Sequence, residues 1–116
     1  MDPGTMSNEL GTVIARRVFD CGERNVMLEI GMPYPMDMGR PDCWCPYRIT
    51  GIGAGEVKRI GGVDSVQALY LAMQRAAADL YASEEARAQV LRWLGSGNFG
   101  LPFSPVIADL VPPEDE

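Results

Sequence analysis

The stretch "GVDSVQALYLAMQRAAADLYAS", residues 62–83, decides the fold. Asp64 stands where a helix N-cap accepts a backbone N–H. Gln67, three residues on, is placed to return a hydrogen bond, as in a capping box. Val66, Leu69, Tyr70, Met73, Ala77, Leu80 and Tyr81 recur at helical spacing and are expected to form the buried face, with Leu71 outside it. The alanines between them keep helix propensity high. A helix over 65–82 is about 27 Å long, and a strand of seven or eight residues about 25 Å. The lengths match, so the helix is predicted to lie across one face of a sheet.

Upstream of it the chain reads as strands. "CWCPYRITGIGAG", residues 43–55, is predicted to extend with Cys45, Tyr47 and Ile49 on one side and Trp44, Pro46, Arg48, Thr50 and Ile52 on the other. Pro46 has no N–H and so belongs near the strand's start or on an edge. Gly51, Gly53 and Gly55 break the run into a turn, and "EVKRIGG", 56–62, follows as a fourth strand. In "VMLEIGMPY", 26–34, Val26, Leu28, Ile30 and Met32 alternate with Met27, Glu29 and Gly31. The first set is predicted to be buried. "TVIARRVFD", 12–20, alternates imperfectly: Ile14, Arg16 and Val18 share one face, Val13, Ala15, Arg17 and Phe19 the other. Its core side is not settled by pattern. "CGERN", 21–25, supplies a hairpin turn, and 33–42 is a long Pro-, Gly- and Asp-rich connection.

Downstream, "SEEARAQVLRWLG", 83–95, is predicted to be a second, shorter helix. Ser83 caps it, Glu84 and Glu85 complement its dipole, and Gly95 stops it. In "GSGNFGLPFSP", 95–105, Phe99, Leu101 and Phe103 are expected to dock back on the core. The reading is a single α+β domain over residues 12–104, with an antiparallel sheet of about four strands, a long helix packed on one face, a shorter second helix and a docked C-terminal segment. Residues 1–11 read as a flexible leader or an expression remnant. Residues 105–116 read as an acidic, Pro-containing tail that frays.

Composition narrows the function. The 116 residues are 47% hydrophobic and 22% charged, enough for one ordinary core. No apolar run reaches the ~20 residues of a membrane helix. The start "MDPGTMSNEL" has neither the basic nor the apolar region of a secretory signal, so a cytoplasmic protein is expected. Histidine is absent, which excludes Ser-His-Asp and Cys-His catalysis and histidine metal sites. Of the six net negative charges, four are owed to Asp109, Glu114, Asp115 and Glu116. The ten basic residues are scattered, so nucleic acid is not an expected partner.

The chemical motifs are few. Cys43 and Cys45 point the same way in a strand and can reach one ion, but a closed zinc site takes four ligands and Cys21 is the sole remaining thiol. Buried, reduced thiols and no metal are expected. "GIGAGE", 51–56, lacks both the third glycine and the adjoining helix of a dinucleotide fingerprint, so no cofactor is expected. Glu29, Asp37 and Asp42 read as solvated acids around the 33–42 loop. Met36, Met38 and Trp44, with Met32, place adaptable apolar side chains beside that loop and are the candidate partner-binding residues. Tyr47, Arg48, Asp64 and Gln67 are the candidates if the domain holds a small-ligand pocket.

Three segments carry a family resemblance: W-x-P-Y-R-I-x-G-I-G (Trp44–Gly53), G-V-D-S-x-Q-A-L-x-L-A (Gly62–Ala72), and L-R-W-L-G with G-L-P-F (Leu91–Phe103). Across about residues 12–103 the chain resembles a family of small bacterial proteins described only as a domain of unknown function. The resemblance implies a compact domain and transfers no catalytic residue. The expectation is therefore a small non-catalytic protein-binding or accessory module, of a toxin-neutralising or secretion-linked kind. A small-ligand domain or an enzyme using carboxylates and arginines is one alternative. A structural homodimer is the other.

Overall fold

The computed structural model describes residues 9–37 and 39–114. Its elements run β1 (Val13–Cys21), β2 (Arg24–Gly31), β3 (Tyr34–Pro35), β4 (Cys43–Thr50), β5 (Val57–Gly62), α1 (Ser65–Tyr81), α2 (Glu84–Arg87), β6 (Leu91–Arg92) and a 3-10 helix at Pro105–Leu110. The sheet is antiparallel throughout, and α1 covers one face, giving an α+β architecture. None of the described helices is long and apolar enough to cross a membrane.

The sheet has six strands, not about four. Cys43 and Trp44 pair with β5 on one edge of β4 and with β3 on the other, the edge β2 occupies farther along. β3 thus resumes the line of β2 after Met32 and Pro33. The order across the sheet is β5, β4, β2 with β3, β1, β6. β6 is only two residues long and pairs with the last two of β1, Asp20↔Arg92 and Cys21↔Leu91.

The core lies between sheet and helix. Phe19 and Cys21 from β1, Val26, Leu28 and Ile30 from β2, and Cys45 and Tyr47 from β4 are all buried there. Val26, Leu28 and Ile30 follow the predicted alternation; Met32, the fourth of that set, lies half exposed beyond the strand. Register settles β1: Phe19 lies opposite Val26 and Arg17 opposite Leu28, so the Phe19 face is the core face.

The buried stripe of α1 keeps Ala77, Leu80 and Tyr81 of the predicted set but departs from it in the first half of the helix. Ala68, Ala72, Ala76, Ala77, Leu80 and Tyr81 are its buried residues, whereas Val66 is 74% and Tyr70 48% exposed. Close approach explains the rotation. A Cβ on Gly62 would lie 2.4 Å from the backbone N of Ala68 and 2.8 Å from its Cα. At that separation only small side chains fit between helix and strand, so the alanine row at i, i+4 spacing faces inward. Leu69 and Met73 pack along its flank.

The second helix stops after four residues instead of running toward Gly95. Ser83 does cap it, its Oγ accepting from Ala86 N at 3.1 Å. Gln89 then takes a left-handed φ of 63°, and Leu91 turns into the core to pair with Cys21. Leu94 and Gly95 both have positive φ, as the centre of a type I′ turn requires, and Trp93 and Ser96 pair across them. Phe99 docks as expected, stacked on Tyr81 at 4.5 Å between ring centroids and edge-on to Phe19 at 5.3 Å. Phe103 remains partly exposed. The 3-10 helix replaces the start of the expected frayed tail. Ser104 caps it, Ile107 and Val111 rest on the core, and Asn98 Nδ2 donates to Pro112 O at 2.7 Å.

Candidate functional site

Two places gather polar side chains with apolar neighbours, one on each face of the sheet. On the core face, the Gly51–Gly55 turn after β4 overhangs the C-terminal end of α1. Between them lies a cleft of about 300 Å³ whose lining includes Tyr47, Ile52, Lys58, Asp79 and Ser83. Asp79 is its centre. Its Oδ2 accepts from Tyr47 OH at 2.6 Å and Lys58 Nζ at 3.1 Å, and Arg75 Nε lies 3.7 Å from its Oδ1. Burial, and then the neighbouring Asp79 carboxylate, push the Tyr47 hydroxyl well above the usual phenol range. Tyr47 therefore stays a neutral donor to Asp79 rather than a base. Three cationic or hydroxyl donors thus surround the Asp79 carboxylate, while Ser83 Oγ donates to Leu80 O at 2.7 Å and Glu56 also lines the cleft.

Among the described residues, the opposite face carries no helix. Alternation and register order its side chains into cross-strand rows. One row is Val57, Arg48, Glu29 and Arg16, on β5, β4, β2 and β1. Glu29 is buried to 5% exposure although, among the described residues, this face is covered by no helix, with Leu10 folding onto it against Gly31 and Pro46. Arg48 Nη2 donates to its Oε1 at 2.9 Å and Arg16 Nη2 to its Oε2 at 3.1 Å. The Arg48 hydrogen bond is the largest influence on Glu29 and, with that from Arg16, outweighs burial, holding the carboxyl below its ordinary range. A neighbouring row is Thr50, Met27 and Val18. At the far end sit Tyr34, Trp44 and Gly61. The Arg59 guanidinium lies 4.1 Å over the Trp44 ring, and its Nη1 donates to Tyr34 OH at 3.2 Å. Met36 closes over Gly61 beside Trp44.

The sequence-selected residues divide accordingly. Met36 and Trp44 come together on the helix-free face; Met38 lies outside the described residues. The four pocket candidates do not meet. Tyr47 lines the cleft, and Arg48 points away from it, to Glu29. Asp64 and Gln67 sit at the other end of α1 as its cap: Asp64 Oδ1 accepts from Gln67 N, and Gln67 Oε1 accepts from Val63 N, each at 2.8 Å. Glu29 joins neither Asp37 nor Asp42; Asp42 faces Arg40 at 3.5 Å. Sequence reasoning passed over Asp79 and Lys58 and placed Glu29 at the wrong site.

The cysteines are free thiols. Cys45 is enclosed, and burial lifts its pKa to about 11, so it stays protonated and inert at neutral pH. Cys43 donates to Pro41 O at 3.3 Å. Among the described residues no three His, Cys, Asp or Glu side chains converge as metal ligands do. The glycine-rich stretch is a turn between β4 and β5, with Gly51, Gly53 and Gly55 at positive φ.

No curated protein and no solved structure matches the chain. A family model does match, over residues 15–103, which includes the whole helix-covered sheet from Ala15 through β6. The chain thus belongs to the family defined as a domain of unknown function, DUF6968.

Proposed function

We propose that the domain is a small non-catalytic protein-binding module, and that it meets its partner with the sheet face turned away from α1. The observation that carries this reading is the make-up of that face. Trp44, Met27 and Met36 are only half-buried, Ile14 and Val18 are 47% and 49% exposed, and Arg16, Arg48 and Arg59 stand among them. Aromatic residues, Met and Arg are the side chains enriched at protein interfaces. Arg16 and Arg48 share the Glu29 carboxylate and Arg59 has no carboxylate partner among its described contacts, so the face is locally positive in a chain whose net charge is −6. The complementary partner is a protein presenting an acidic surface with apolar side chains among its carboxylates. A toxin-neutralising or secretion-linked accessory role would use such a surface.

The test is capture of a partner by the tagged domain in its source organism, repeated with Arg59→Glu and Trp44→Ala. Both replacements are away from the core, so melting curves should move little. The expected result is a partner, retained by the parent domain and by a cleft variant, Lys58→Glu, but lost by both face variants. A partner lost with Lys58→Glu and indifferent to the face variants would overturn the proposal and move function to the cleft.

A further inference from the structure

β1 is nine residues long, yet β6 pairs with only its last two. Among the described residues, every other backbone pairing of Ile14–Phe19 is to β2. The outer edge of Ile14–Val18 is therefore a row of N–H and C=O groups with no strand of the described residues beside it. It is also uncovered: Ile14, Ala15, Arg16 and Val18 are exposed, on both faces of the strand. Long exposed edges with β-branched residues are what natural proteins ordinarily blunt with charge. Here the charges are drawn aside. Arg16 leans to Glu29 on β2. Arg17 Nη1 donates to Phe99 O at 2.9 Å and Gly100 O at 3.1 Å, with its guanidinium 3.9 Å over the Trp93 ring. The edge itself is left open.

On the core side of this edge lies a hollow of about 100 Å³, walled by Ala15, Leu28, Ile30, Met73 and Leu101, with Arg16 and Arg17 also lining it. Its walls are mostly apolar and it has room for a single aliphatic side chain. Strand addition needs this combination: backbone groups for affinity and a side-chain pocket for specificity. The charge nearby is positive. Glu29 is shared between Arg16 and Arg48, and the described partners of Arg17 are two carbonyls and the Trp93 ring, none of them a carboxylate. A second copy of this chain would bring further guanidiniums to the same seam, which favours a partner of opposite sign.

We infer that the outer edge of β1 is a strand-addition site for an extended acidic segment of another protein, which seats one aliphatic side chain in the hollow beside Ala15. This rests on the protein-binding reading and specifies how the partner engages. The segment would span about five residues, roughly 17 Å of strand.

Two synthetic probes test it: a seven-residue peptide alternating Glu and Val, and its counterpart alternating Lys and Val, each titrated into the full chain with amide hydrogen exchange read residue by residue. The acidic probe should slow exchange at residues 14–18 and bind about tenfold more tightly than the basic one, the effect of two exposed charge contacts. Ala15→Leu, which fills the hollow, should weaken it by a similar factor. Val18→Glu should weaken it and Val18→Lys should not. Equal binding of both probes, protection elsewhere, or a dimer already protecting residues 14–18 without peptide would overturn the inference. The captured partner separates this failure from the wider one. Loss with Arg59→Glu but not with Ala15→Leu overturns the edge site alone; loss with neither overturns both readings.

Discussion

Glu29→Gln should destabilise the domain by about 2 kcal/mol at pH 7, and the loss should fade in acid. A carboxylate stripped from a fully buried ion pair costs about 3–5 kcal/mol, because its partner is left charged and dry. Here the partners are partly wet: the Arg16 and Arg48 side chains are 54% and 37% exposed, while Glu29 is 7%. Water therefore recovers a large part of their solvation, and the retained amide oxygen still accepts one bond. About half the buried-pair figure remains, which for a chain of this size lowers Tm by roughly 8 °C. The pH dependence follows from the depressed pKa of Glu29. A carboxyl that ionises more readily when folded stabilises fully above its unfolded pKa of about 4.3. That contribution drains away as pH falls through the lower, folded value. Urea unfolding of parent and variant at pH 7, 5, 4 and 3 measures the gap. It should be widest at neutral pH and narrow below pH 4. A gap that is constant with pH, or below about 0.5 kcal/mol throughout, would refute the claim that the ionised carboxylate organises this face.

Three further outcomes are expected. Gly62→Ala should cost about 1–3 kcal/mol by overpacking, since the added methyl would sit 2.4 Å from the Ala68 backbone; an unchanged urea midpoint would deny the close contact. Asp64→Ala should cost about 1 kcal/mol through the lost cap, while Asp64→Asn keeps most of it, both read from thermal melts. Stability should fall in alkali: Cys45, Tyr47 and Tyr81 all have raised pKa values when folded, so their contribution is complete below the unfolded values and is lost as pH rises from about 9 upward. Tyr47→Phe should flatten part of that decline in urea melts between pH 9 and 11, and a decline unaltered by the substitution would count against the burial of its hydroxyl.

The sequence announced its architecture through strict alternation and caps. Val26, Leu28 and Ile30 are buried because neighbouring polar residues left only one register compatible with a core. Asp64 caps the helix through Gln67 N as read, because a cap is a local device settled within four residues, although the Gln67 side chain accepts from Val63 N rather than from the cap residue itself. The buried stripe of α1 was less legible. Two apolar stripes run along that helix, and the larger side chains on one of them outweigh the alanines on the other in any hydrophobicity pattern. What chose the alanine stripe is Gly62, a contact made by the tertiary structure. The short second helix escaped for a related reason: Leu91 gains more by entering the core beside Cys21 than by continuing a helix whose apolar side has nothing to cover. The helix-free face was least legible. Arg16, Glu29 and Arg48 are separated by 13 and 19 residues, and only the pairing of three strands brings them together.

That constellation also bears on why the face is built as it is. Satisfying an ion cluster is a poor way to stabilise a fold, because apolar side chains of similar volume commonly do as well or better. The sheet face already has Met27, Val18 and Val57 alongside, so a wholly apolar surface was open to it. Such a surface, left largely open by the described residues, would be an aggregation site. Arginines held by one buried carboxylate solve this while keeping the apolar area accessible: they are fixed in place, they remain charged, and they repel like copies. Arg48 carries the point furthest. Its Nη2 is engaged by Glu29, yet among the described residues its Nε is buried with no hydrogen-bond acceptor. A buried donor left unpaired costs about 1–3 kcal/mol, and Arg48 bears that cost on the face we propose for the partner, two strands away from the outer edge of β1.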